Sequence, residues 1–87
     1  MLQDCAPLAH AIIDAFLFLE NSGDSEVDPD SAVRVMENMS ASLLKLSEAD
    51  QLELRALLEK IADNEKESRP YRDFVRKLPD AIGLLSS

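Results

Sequence analysis

The sequence predicts an all-α fold, a compact antiparallel bundle of about four helices. Three observations predict it. Apolar residues recur at three- and four-residue intervals along most of the chain, and no stretch of six or more alternates apolar with polar residues. Two glycines and four prolines in 87 residues leave room for few turns. Trp is absent, and one Tyr and three Phe are the only aromatics, so the core has to be built mainly from Leu, Ile, Val, Ala and Met. A chain of this length is expected to form a single helical domain, residues 1–87.

The first helix is predicted to begin after Asp4, whose carboxylate can accept from free amides, with Pro7 tolerated in the first turn. From Leu8 to Leu19 only His10 and Asp14 interrupt the apolar run. At 100° per residue its apolar positions cover about 220° of the circumference, where a helix lying on a small core needs roughly 100°. The arc centred near Ile12 and Leu19 is expected to face the core, with Ile13 and Leu17 on one shoulder and Ala11 and Phe18 on the other. Either this helix is the central one, or part of it meets a second chain. Ile13, Leu17 and Phe18 are therefore the candidate partner-binding residues, because contiguous exposed apolar area mostly marks an interface. The helix should end near Glu20 and Asn21, with Gly23 free to break it.

Asp28-Pro29-Asp30-Ser31 reads as the next helix start, with Asp28 at N-cap, Pro29 at N1 and an acid in the first turn. Ala32, Met36, Met39, Leu43 and Leu46 then form an apolar stripe with Val35 beside it. Ser47-Glu48-Ala49-Asp50 is close to a capping box and implies a tight break after Leu46. The third helix carries Leu54, Leu57, Leu58 and Ile61 on one side, is expected to run to about Glu65, and leaves Leu52 off its stripe. The fourth begins at Pro70 and places Tyr71, Phe74, Val75, Leu78, Ile82 and Leu85 at helical intervals. Pro79 falls inside that pattern, so this helix is expected to break or kink there, with Gly83 loosening the tail.

A net charge of −8 disfavours nucleic acid and anionic lipid as partners, since phosphate backbones and acidic headgroups repel such a chain. The charge is also polarised. Residues 1–33 carry Asp4, Asp14, Glu20, Asp24, Glu26, Asp28 and Asp30 and no base, whereas residues 66–77 carry Lys66, Arg69, Arg72, Arg76 and Lys77. The two ends are expected to face each other, or else to offer a surface of one sign to a partner. The lone Cys5 excludes an internal disulfide. The Leu8–Leu19 run is short for a bilayer span of about 20 apolar residues, and no base precedes Arg34 as a signal peptide would require. The expected location is the cytoplasm.

Few constellations suggest chemistry. His10 and Asp14 share a face at i, i+4, with Asn21 on the same stripe, yet no second His exists to build a metal site, and a solvated polar stripe is the expectation. The acids from Asp24 to Asp30 resemble a calcium loop in spacing, but Pro29 and Val35 stand where an EF-hand needs Gly and Glu. Asp30-Ser31 at the start of a helix, in an acidic all-helical chain, is similar to the acyl carrier proteins, which carry a phosphopantetheine arm on the Ser of an Asp-Ser-Leu motif. That resemblance implies Ser31 as an attachment site. It covers two residues and a composition, while Ala32 and Val33 follow where the motif has Leu, and Ser31 is more simply a polar N3 residue of its helix. There is no G-x-S-x-G, no Gly-rich phosphate loop and no paired Cys or His motif. The expected function is a non-enzymatic protein–protein interaction module, needing no cofactor or metal and acting as a homodimeric adaptor or regulatory subunit. An antitoxin or immunity-type protein capturing a basic toxin by charge steering, and the carrier with its arm on Ser31, are the alternatives.

Overall fold

The computed structural model describes residues 4–23 and 25–86. Among them the chain forms four helices and no strand: α1 (Ala6–Asn21), α2 (Pro29–Leu43), α3 (Glu48–Ala62) and α4 (Arg69–Ile82). They pack as an all-α bundle around one hydrophobic cluster.

Every helix starts where a short polar side chain can take up free amides. Asp4 accepts from the amide of Ala6 at 3.0 Å. Asp28 caps α2 by accepting from the Ser31 amide at 3.0 Å and from the Ser31 hydroxyl at 3.2 Å. Ser47 caps α3 by accepting from the Asp50 amide at 3.2 Å. Ser68 caps α4 through the Tyr71 amide at 3.4 Å. The cap bonds of Asp28, Ser47 and Ser68 each satisfy one of the orphan donors that a helix N-terminus leaves and stabilise its start by about 1 kcal/mol, whereas the N-cap of α1, Cys5, makes no side-chain cap bond.

The closest packing is between α3 and α4. Leu58 and Val75 are fully enclosed there, beside Ile61, Ala62, Leu78 and Ile82. Burying each large aliphatic side chain contributes roughly 1.5–3 kcal/mol, so this pair supplies much of the stability. On α1, Ala9, Ile13 and Phe16 close the core from the other side. On α2 Ala32 is buried, while Met36, Met39 and Leu43 pack partly against the cluster.

Several expectations are corrected. The core-facing side of α1 runs through Ala9, Ile13 and Phe16 rather than Ile12 and Leu19, a rotation of about 80° at 100° per residue. Ile13, expected on a shoulder, is 0% exposed and belongs to the core. Pro79 does not interrupt α4, which continues to Ile82. The proline removes a single amide donor one turn before the helix ends, and its ring is fully buried, so packing offsets the lost bond. Likewise, α3 stops at Ala62, short of Glu65.

The ends of α3 and α4 are held by side chains from neighbouring elements. Arg72 Nε and an Arg76 guanidinium nitrogen donate to the Ala62 carbonyl at 2.9 and 3.1 Å, and Arg76 also reaches Asp63 at 3.2 Å. Two cations thus sit on the negative end of the α3 dipole. Among the described residues the ion pairs are Arg55–Asp80, Arg69–Asp73 and Arg76–Asp63, so the basic segment engages α3 and α4 and none of these pairs reaches the acidic first third. Gly83, with φ of 95°, closes α4 rather than loosening the tail. Its amide and that of Leu84 both return to the Pro79 carbonyl, at 3.1 and 3.0 Å. That left-handed turn sends the chain back over α3, where Leu84 is buried.

Gln51 and Arg55 fasten this tail. Gln51 is 8% exposed, a polar side chain on the core side of α3. Its amide donates to the carbonyls of Leu44 and Leu46, both at 3.1 Å, and its oxygen accepts from the Leu85 amide at 3.3 Å. Arg55 donates to the carbonyls of Leu85 and Leu84, each at 2.7 Å, and to Asp80 at 2.8 Å. One turn of α3 therefore joins the α2–α3 turn to the C-terminal segment.

Candidate functional site

The rotation of α1 decides where its surplus apolar surface goes. With Ala9, Ile13 and Phe16 turned inward, Leu8, Ala11, Ala15 and Phe18 lie on the side away from the core. Phe18 is 56% exposed and Leu8 51% exposed. Beside them α1 and α2 enclose an open groove of about 540 Å³. Ile12 and Phe16 of α1, with Met39 and Leu43 of α2, line it together with Leu8 and Val35, and Asn38 and Ser42 are the polar lining residues among those described. Val35 is 42% exposed. None of the described charged residues lines this groove, in a chain whose net charge is −8. Such a face costs little to desolvate and gains from being covered.

The three residues expected to form a partner surface are separated by the structure. Ile13 is enclosed by its own chain and is withdrawn as a surface residue. Leu17 is half-buried and borders a second cleft of about 340 Å³, together with Asp14, Asn21, Ser22 and Glu26. Phe18 lies between the two, lining that cleft on one side and continuing the exposed stripe of Leu8, Ala11 and Ala15 on the other. Sequence reasoning missed Leu8, Ala15, Val35 and Met39. Val35 lay beside the α2 stripe rather than on it, and that offset was the available signal.

The remaining candidates have structural surroundings. The His10 ring nitrogen Nδ1 lies 3.5 Å from the Tyr71 hydroxyl, linking α1 to α4. Burial, and then the nearby carboxylates of Asp14 and Glu67, push the Tyr71 hydroxyl above the usual tyrosine range, because each disfavours the phenolate. Among the described residues no group of three or more His, Cys, Asp or Glu side chains converges as metal ligands would. Ser31 is exposed, and its hydroxyl bonds to the capping carboxylate of Asp28. Asp24, the first acid of the loop with calcium-like spacing, lies outside the described residues. Cys5 is exposed ahead of α1. No helix among the described residues is long and apolar enough to cross a membrane.

The chain matches no protein-family model, no curated protein and no solved structure.

Proposed function

We propose that this chain is a non-enzymatic protein–protein interaction module that self-associates as a homodimer through the outer face of α1 and its groove with α2, serving as an adaptor or regulatory subunit. One observation carries the reading. Among the described residues the two most exposed large apolar side chains, Phe18 and Leu8, share the outer side of α1, and Leu8 lines a groove that none of the described charged residues lines, in a chain whose net charge is −8. Two copies of net charge −8 repel each other overall, and an apolar face without charged lining adds little to that repulsion while gaining from being covered.

The test is the molecular mass in solution over a wide concentration range, by sedimentation or light scattering. A mass that rises to twice that of the chain with concentration is expected. Phe18→Glu should shift the equilibrium to monomer without loss of helicity, whereas Leu17→Glu, on the side of the smaller cleft, should leave it near wild type. A wild-type chain that stays monomeric throughout, or a Phe18→Glu variant that dimerises as wild type does, would reject the reading.

A further inference from the structure

We infer that the two copies pair through α1 in antiparallel fashion about a two-fold axis near the middle of the helix, setting Leu8 of each against Phe18 of the other and Ala11 against Ala15. The inference rests on the self-association proposed above and adds its geometry.

At 100° per residue, Leu8, Ala11, Ala15 and Phe18 fall within an arc of about 80° on the side of α1 away from the core. In order they are large, small, small and large, at spacings of three, four and three residues. The stripe therefore reads the same from either end. Reversing the helix superposes Leu8 on Phe18 and Ala11 on Ala15, which is the self-complementarity that a two-fold interface requires. The alanines at the centre allow the axes to approach toward the short end of the usual 8–10 Å range. The larger side chains then close over the two ends, and Val35 and Met39 of α2 extend the apolar surface along the Ile12 flank.

Charge selects the antiparallel over the parallel arrangement. Beyond the C-terminal end of α1 come Glu26, Asp28 and Asp30, all exposed, with Glu20 in its last turn. A parallel pair would bring the two acidic ends side by side. In the antiparallel pair they lie at opposite ends of a helix of 16 residues, about 24 Å long at 1.5 Å per residue. That exceeds the screening length of about 8–10 Å in ordinary buffers. Each acidic end then approaches the N-terminal end of the other copy's α1, where the helix dipole is positive and Asp4 is a single acid against the several beyond Glu20.

The test uses Leu8→Lys, Leu8→Glu and Phe18→Glu in the full chain. Leu8 and Phe18 are more than half exposed in the single chain, so the helical content of each variant should be unchanged by circular dichroism. Each variant alone should dissociate, its dimer constant weakened by about tenfold or more. Mixing Leu8→Lys with Phe18→Glu should restore a mixed dimer, because the new charges face each other and the second Leu8–Phe18 contact is native. Mixing Leu8→Lys with Leu8→Glu should restore nothing. If the second mixture pairs and the first does not, the antiparallel geometry is wrong while the interface stands. The geometry is equally wrong if neither mixture pairs although every single variant dissociates. If Leu8→Lys and Phe18→Glu each dimerise as tightly as wild type, the face itself is misassigned and both inferences fall.

Discussion

Replacing Gln51 with Leu tests whether the buried amide fastens the fold or merely fills space. The substitution keeps the side chain's volume and removes three hydrogen bonds, to the Leu44 and Leu46 carbonyls and from the Leu85 amide. At about 1 kcal/mol net for each bond the loss is roughly 3 kcal/mol, and the apolar gain of a buried Leu returns about 1 kcal/mol. The three main-chain partners would also lie partly buried without a replacement. A net destabilisation of about 2–3 kcal/mol follows, a large share of the roughly 4–13 kcal/mol expected for a chain of this length. Urea unfolding followed by circular dichroism measures it, as a lower midpoint at unchanged slope. Gln51→Glu sharpens the test. Its carboxylate can still accept from Leu85 but cannot donate to the two carbonyls, so it should be least stable at neutral pH and recover toward acid as the group protonates. If Gln51→Leu matches wild type, the hydrogen bonds add nothing beyond burial and the account of how the tail is held is refuted.

Gly83→Ala should destabilise by about 1–2 kcal/mol, because a Cβ there forces a non-glycine residue into the left-handed region. The space itself is adequate, since the nearest atom to such a Cβ is Leu44 Cδ1 at 3.7 Å, so Gly83→Asn should recover part of the loss in a thermal melt. Asp28→Ala should cost about 1 kcal/mol of stability through the lost α2 cap, read by urea unfolding, while Ser31→Ala, which leaves the amide bond to Asp28 in place, should cost less. Tyr71 is the sole tyrosine, so phenolate absorbance reports it alone, and its titration should lie above the usual value of about 10. The folded form holds this proton more tightly than the unfolded chain does. The stabilisation is therefore complete below about pH 10 and is lost as pH rises through the folded value, and Tyr71→Phe should remove that alkaline slope.

The local signals stood in the sequence. Asp28, Ser47 and the proline at the head of α2 mark helix starts by chemistry confined to four residues, and the structure uses all three as read. The i, i+3, i+4 stripes of α3 and α4 likewise name Leu58, Ile61, Val75, Leu78 and Ile82 as core, and on α4 one strongly favoured face leaves the helix a single way to turn. On α1 that logic fails, since its apolar residues span about 220° and any of several rotations would bury a comparable area. Periodicity thus showed that the helix had more apolar surface than one core contact uses, but not which part would stay outside. Packing against α3 and α4 chose Ala9, Ile13 and Phe16, and so exposed Leu8 and Phe18. Pro79, Gln51 and Gly83 belong to the same class. Pro79 reads in sequence as a breaker and Gly83 as a flexible point, nothing in the local pattern marks Gln51, and each becomes part of the core or its fastening through partners up to 34 residues away. Short-range hydrogen bonding and hydrophobic spacing are written into neighbouring residues. The choice between faces of an almost wholly apolar helix, and the burial of a polar side chain, depend on contacts that exist only once the helices have met.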